Sequence, residues 1–381
     1  MNYVTSCRHF NGYKPCGLSE NCSSECIHKD IPRLNILLIH LGAIGAVVRS
    51  TSLLESIHKK YPGCRLIWVT DAPSHNLLKN HPLIDHVYSS NESDLLELSS
   101  WSFEIALCVD KSRKAAGILK RVEVDHVFGF IIDNITGAAK PATTAAYELW
   151  EIGLNDQKKF FENPKPETQL IHESLDLGPW RQSKYCLPLS KHEKDLAFDR
   201  RNEWIQNSSQ AVIGLNTGCS TTIPAKKFTV EYHRNLIQDL IKAGYENIIL
   251  LGGPEDTKRN FEIARGLGVM NSPSDKGLRD GLVSVEACDI VITGDSLGMH
   301  LAIARNKFVV AWFGPTCEQE IDLYGRGVKL MANVSCSPCW KRSCTQPIMC
   351  YDRVEIVNII EAIKSYRPAS ETQVYGVTHI E

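Results

Sequence analysis

Residues 289–313 constrain the fold of this chain more than any other stretch. Asp289 to Thr293 is a short apolar, β-branched run that reads as a strand, and Gly294 breaks it. Ser296 stands where a helix N-cap belongs, and an apolar helical run follows through Ala304. A second apolar run, Phe308 to Phe313, ends in Gly314-Pro315-Thr316. Strand, helix and strand in such quick succession make a βαβ unit, which requires a parallel sheet. Its polar residues fall at the carboxyl ends of its strands, where open α/β sheets bind ligands. The helix start at Ser296 and Leu297 exposes backbone N–H groups that attract phosphate. Asp295 and His300 flank the turn, within reach of a sugar hydroxyl or a phosphate oxygen.

The same alternation runs through most of the chain. Strands are expected at 34–41, 65–70, 86–88, 104–109 and 127–132, with helices at 46–61, 77–80 and 111–121 between them. Residues 140–160 read as helical, and 161–187, with Pro164, Pro166 and Pro179, as a connection between domains. A charged helix at 191–206 precedes a second alternation. It comprises strands at 211–216, 247–251, 289–293 and 308–313 and helices at 230–243, 256–267, 297–304 and 354–365. The expected architecture is α/β: two doubly wound Rossmann-like domains facing one cleft, with an N-terminal Cys-rich appendage. The expected divisions are 1–33, 34–187, 188–352 and a C-terminal helix and tail, 353–381, with 367–381 mobile.

Composition narrows the class. The 381 residues suffice for two ordinary domains. Basic and acidic residues balance at 42 and 44, which gives no electrostatic footprint for nucleic acid. No apolar run reaches the ~20 residues that span a bilayer, and residues 1–8 hold no apolar signal-peptide core. The expectation is a cytoplasmic protein, with peripheral contact with a membrane left open.

Further loops carry candidate chemistry. Leu41-Gly42-Ala43-Ile44-Gly45-Ala46 joins a strand to a helix, and its glycines admit close approach of a ligand. The spacing is not G-x-G-x-x-G, so a nicotinamide cofactor is a poor reading. Asn216-Thr217-Gly218-Cys219-Ser220-Thr221-Thr222 offers hydroxyls and a glycine for a diphosphate, and Lys226 follows closely to neutralise its charge. Gly252-Gly253-Pro254 ends another strand.

With these motifs in place, the chain resembles glycosyltransferase family 9, the lipopolysaccharide heptosyltransferase-like family with the two-domain GT-B fold. The resemblance runs from Leu34 to about Ser365. It rests on 41–45, Asn216-Thr217-Gly218 with Lys226, Leu251-Gly252-Gly253-Pro254, Phe313-Gly314-Pro315-Thr316 and, most of all, Thr293-Gly294-Asp295-Ser296-Leu297-Gly298-Met299-His300. It implies an inverting, metal-independent transfer of a sugar, such as heptose, from an ADP- or UDP-linked donor to a glycan or glycolipid hydroxyl of the lipopolysaccharide core. The implied donor-binding residues are Thr217, Gly218, Lys226, Gly253, Gly294, Asp295, Ser296, Leu297 and His300, with Lys226 also stabilising the leaving diphosphate. One position departs from the pattern. The first loop of the family reads Gly-Asp, the Asp being the presumed base, whereas this chain has Gly45-Ala46. Alanine accepts no proton, and losing a general base costs roughly 10²–10⁴-fold. Asp110, at the end of an expected strand, is the first candidate to replace it, and Asp71 the second; the alternative is an acceptor that is acidic enough or carries its own base. The rival reading is a catalytically silent nucleotide-sugar-binding or assembly protein. A nucleotide-sugar epimerase is a further rival within the fold.

Fourteen cysteines are many for a reducing compartment. Cys7, Cys16, Cys22 and Cys26 form one group and Cys336, Cys339, Cys344 and Cys350 another. Four thiolates suit zinc or an iron–sulfur cluster in a structural role, as two sites or one of mixed ligands. Free cysteines on a flexible arm are the alternative for the first group. Cys64, Cys108, Cys288 and Cys317 lie in or beside apolar segments and are expected in the core.

Overall fold

The computed structural model describes residues 3–368. The expected mobile tail therefore lies almost wholly outside the described residues. The chain divides into two compact units. The first holds residues 1–43, 52–154 and 169–183; the second holds 44–51, 155–168 and everything from 184 onward. The main passage between them falls at 183/184, near the expected 187/188, but two short segments of the N-terminal half pack with the second unit.

The first unit contains β1 (Asn35–Ile39), β2 (Arg65–Thr70), β3 (His86–Ser89), β4 (Ser102–Cys108), β5 (Glu123–Ile132) and β6 (Ala139–Pro141). They lie in the order β3-β2-β1-β4-β5-β6, parallel except for β6. Strands β1 and β2 are apolar along nearly their whole length because helices cover both faces of a doubly wound sheet. Residues 3–33 pack as part of this unit instead of standing apart. Arg8 donates to the Cys64 carbonyl (3.0 Å), to Asp85 (2.5 Å) and to Asp30 (2.7 Å). The segment has little regular structure beyond a Tyr3–Ser23 bridge.

The second unit repeats the plan. Its strands are β7 (Ile213–Asn216), β8 (Ile248–Leu251), β9 (Met270–Asn271), β10 (Ile290–Gly294), β11 (Phe308–Phe313) and β12 (Gly327–Met331). The order is β12-β11-β10-β7-β8-β9, all parallel. Phe228, Leu236, Ile237, Ile292, Val310 and Trp312 build one core cluster. Local signals fix helix starts. Ser190 and Glu193 form a reciprocal capping box on helix Lys191–Trp204, and the Thr229 hydroxyl accepts from the Tyr232 N–H at the start of helix Val230–Lys242.

Several elements differ from expectation. The single helix expected over 46–61 is two, Ile44–Ser50 and Leu54–Lys60, joined by a 3₁₀ turn. The Thr51 hydroxyl donates back to the Val48 carbonyl (2.6 Å), and the polar Ser50-Thr51-Ser52 step is where the chain changes units. The helical stretch expected over 140–160 is interrupted, with a helix only at Tyr147–Ile152. The expected connection 161–187 contains helix Glu167–Ser174, while β6, β9, β12 and helix Leu278–Glu286 were not foreseen. Cys64, Cys108, Cys288 and Cys317 are all buried, as expected.

Candidate functional site

The turn after β10 organises the site in the second unit. Gly294 passes so close to the Lys226 carbonyl that a Cβ there would overlap it. That approach brings the Lys226 ammonium to 3.4 Å from the Asp295 carboxylate. His300 Nε2 lies 4.0 Å from the other Asp295 oxygen. Burial alone would raise the Asp295 pKa, but Lys226, with His300, draws it below the usual carboxylate range. Asp295 is therefore an anion held by a lysine at the start of helix Leu297–Ala304. This arrangement suits a ligand that carries both hydroxyls and phosphate.

Ser296 occupies the N-cap position, yet its hydroxyl makes no capping bond. Instead the Asn216 side-chain N–H₂ donates to it (2.9 Å), to Thr293 (3.1 Å) and to the Gly218 carbonyl (3.0 Å). Asn216 thus ties the end of β7 to the end of β10. Thr217 is fully buried and its hydroxyl bonds to Asn260 and the Leu251 carbonyl, so it braces the loop from within. Gly218 and Gly253 converge on the buried Asp256 carboxylate, which accepts from the Gly253 N–H (3.1 Å). The expected donor residues therefore fall into two groups. Lys226, Gly294, Asp295, Ser296, Leu297 and His300 cluster at the turn, whereas Thr217, Gly218 and Gly253 shape the neighbouring strand ends.

Four charged residues that the sequence did not single out join this cluster. Arg49, on helix Ile44–Ser50, is buried and paired with Glu167 (2.6 Å). The same helix presses Gly45 against the His300 imidazole, only 2.5 Å from where a Cβ would stand. Lys159 lies 3.6 Å from Glu320 and 3.9 Å from the centre of the Trp340 ring. Burial, followed by the nearby Glu167, lifts the Glu320 carboxyl to about 7. A search for them would have needed pairing across long sequence separations, which no motif carries.

His300 stacks on Tyr185, with ring centroids 6.0 Å apart. Its Nδ1 has no hydrogen-bond partner among the described residues. Burial, with Arg49, pushes its imidazole down to about 3, and burial does the same to His233. Both rings are neutral at pH 7 and bind protons only on unfolding, where 6.5 is the ordinary value. Their contribution to stability is complete above pH 6.5 and is lost as pH falls toward 3. Glu320 acts oppositely, destabilising the fold as pH rises from 4.5 to 7. The expected result is a melting temperature that falls steeply below pH 4.5, where Glu320 no longer opposes the histidines and depressed carboxylates such as Asp295 and Glu193 add to the loss. Thermal unfolding of His300→Gln between pH 3 and 7 checks this; an unaltered slope would exclude His300 as a source.

In the first unit, Asp110 spends both carboxylate oxygens on backbone N–H groups, those of Leu41 (3.0 Å) and Ser112 (2.8 Å). Burial would raise the Asp71 pKa, but Lys114 (2.7 Å) and the Ser90 hydroxyl more than offset it, so the carboxylate is a weakened base.

Each cysteine group lines a cavity of its own. Cys7, Cys16, Cys22 and Cys26 line one small cavity of about 20 Å³. Cys336, Cys339, Cys344 and Cys350 line another of about 40 Å³, together with Ala225, Gly314 and Pro315. All eight are free thiols. Among the described residues, no three Cys, His, Asp or Glu side chains are close enough to hold one ion. The expected zinc or iron–sulfur ligation is thus not preformed in this structure.

Two doubly wound sheets of this strand order, parallel except for β6, with polar loops at their strand ends, define the α/β class. The family model for glycosyltransferase family 9 (heptosyltransferase) matches residues 142–349, more than half of the chain. The chain belongs to that family and is a glycosyltransferase. It is 24% identical over 307 residues to lipopolysaccharide heptosyltransferase 2 of Escherichia coli K12, covering 74% of this chain and 83% of that one. The structure of the E. coli ADP-heptose lipopolysaccharide heptosyltransferase II superposes with a TM-score of 0.60 at 19% identity, over 87% of this chain and 100% of that one. The iron-containing dodecameric glycosyltransferase TibC of enterotoxigenic E. coli H10407 superposes with a TM-score of 0.52 at 12% identity, over 87% and 76%.

Proposed function

We propose that this protein transfers heptose from ADP-heptose to a hydroxyl of a lipopolysaccharide core glycan, inverting the anomeric centre. Family membership and the names of its relatives support the sugar, the donor and the acceptor class. The observation that carries the donor side is the Lys226–Asp295 pair at the head of helix Leu297–Ala304. The acceptor oxygen attacks C1 of the sugar, and the bond from C1 to the diphosphate oxygen breaks on the opposite face. The departing ADP takes the electron pair, and Lys226 with the helix N–H groups meets the charge that develops. Asp295 and the neutral His300 fit sugar hydroxyls. The proposed location is the cytoplasm, with peripheral contact with a membrane left open. Among the described residues no helix is long and apolar enough to cross one.

Incubation with ADP-heptose and heptose-deficient lipopolysaccharide tests the reading, with mass spectrometry of the lipid product. Donor binding without transfer would replace it with the silent binding protein, which Ala46 favours. Conversion of the donor without any acceptor would indicate an epimerase. Asp110 is one candidate base, and an unchanged rate in Asp110→Asn removes it.

The two cysteine tetrads are proposed as structural metal sites. Each tetrad converges on its own cavity, and four thiolates suit zinc or iron. The cavities exceed the ~10–15 Å³ of one water-sized sphere, and binding an ion would require the thiolates of each tetrad to draw closer together than they stand here. When bound, the metal supplies cross-linking of loops that have little apolar material of their own. Elemental analysis of protein purified without oxygen is expected to give two ions per chain, and one in the Cys7→Ser, Cys22→Ser double variant. Full-length protein that is folded and free of both zinc and iron would sink this assignment.

A further inference from the structure

The resemblance implies a Gly-Asp pair in the first loop, whereas this chain has Gly45-Ala46 and no carboxylate there. Position 46 belongs to helix Ile44–Ser50, which packs on helix Leu297–Ala304 within the second unit. A replacement base is therefore best sought among the carboxyls of that unit that gather around the same helix pair. Three do so: Glu167, Asp295 and Glu320. Each has a different set of partners. Glu167 is committed to Arg49 at 2.6 Å. Asp295 is committed to Lys226 and faces His300. Among the described residues Glu320 pairs with Lys159, at a loose 3.6 Å, and Lys159 also lies over the Trp340 ring.

We infer that Glu320 is the general base of the transfer, receiving the acceptor hydroxyl proton in place of the carboxylate lost at Ala46. This rests on the proposed transfer reaction. The 3₁₀ turn Glu318–Glu320 follows the Gly314-Pro315-Thr316 loop at the end of β11. Glu320 is thus delivered from the strand beside β10, next to the donor turn. Its side chain is 12% exposed, so water screens it little but a proton can still reach it.

The charged groups that face Glu320 come from four elements. Glu167 repels it from the start of helix Glu167–Ser174, and Asp295 repels it from the turn after β10. Lys159 attracts it from the segment Lys158–Glu162, and Arg49 from helix Ile44–Ser50. Both repelling carboxylates keep their own counter-ions at shorter range, so the proton that the cluster retains resides on Glu320, near pH 7. A base with that midpoint combines an ionised form at neutral pH with real affinity for a proton. In the step, the acceptor O–H bond breaks and its proton goes to a Glu320 oxygen while the new O–C1 bond forms. ADP departs with the electron pair of the old C1–O bond, and Glu320 then releases the proton to water.

The test is the pH dependence of kcat/KM from pH 5.5 to 9, with ADP-heptose and heptose-deficient lipopolysaccharide, alongside ADP affinity by calorimetry. Wild-type transfer is expected to rise with pH through a midpoint near 7. In Glu320→Gln it falls roughly 10²–10⁴-fold and the rise disappears, while ADP affinity is retained. Glu320→Asp restores part of the rate and the rise. Glu167→Gln removes a repelling charge, so the rise persists with a lower midpoint. A Glu320→Gln enzyme that keeps the rise, or that loses ADP affinity instead of turnover, overturns the assignment. Wild-type protein that binds ADP but transfers nothing overturns the proposed function itself, and this inference falls with it.

Discussion

Lys226→Ala lowers kcat by an expected factor on the order of 10²–10³, the usual cost of removing one preorganised stabiliser of developing charge. The reason is local. Lys226 is paired with Asp295, and it stands at the turn where a diphosphate would meet helix N–H groups. Charge on the bridging oxygen grows as the sugar leaves, so the loss falls more on turnover than on donor affinity. A second consequence follows from the same pair. Without Lys226 the buried Asp295 loses the main influence that holds its pKa down, so its carboxyl titrates higher. Lys226→Arg keeps the charge and is expected to retain part of the rate. Steady-state kinetics with ADP-heptose, together with calorimetry for ADP, separates the two effects. A turnover number equal to wild type would remove Lys226 from the mechanism.

Gly294→Ala is the most damaging small substitution expected. The added methyl would overlap the Lys226 carbonyl and stand 3.2 Å from the Trp312 ring. Neither neighbour yields easily, because one is backbone and the other is a large, fully buried side chain. Overpacking of this kind costs about 1–3 kcal/mol. Relief requires the Lys226 segment to retreat, which also withdraws its ammonium from Asp295. Stability and donor affinity should therefore fall together. Gly298→Ala offers a comparison, since the atoms nearest its methyl belong to the Asn216 side chain, at 2.5 Å, and not to backbone. Chemical denaturation and ADP calorimetry on both variants give the result. A Gly294→Ala protein as stable as wild type would show that the close approach is dispensable.

Much of this was legible in the chain itself. The run from Asp289 to Phe313 forms the βαβ unit that its pattern predicts, with β10 and β11 parallel and adjacent. The spacing of apolar runs recovers most of the strands, because strands buried on both faces leave a continuous apolar signature. Short or amphipathic elements escaped: β9 has two residues and β12 is exposed at its end. Ser296 shows the limit of local reading. Its position as an N-cap is visible in the sequence, but its hydroxyl is claimed by Asn216, a residue far away in the chain.

The sequence by itself determined the class of fold, the strand-end loops and the turn from Gly294 to His300, since all three depend on neighbours in the chain. Tertiary structure alone decided that residues 44–51 and 155–168 join the second unit. It also decided that Thr217 braces its loop from within, and that Arg49, Lys159, Glu167 and Glu320 surround Asp295 and His300. The physical reason is that a charge acquires its pKa and its partner from whatever burial places beside it. That set of neighbours is fixed by packing between distant segments, not by spacing along the chain.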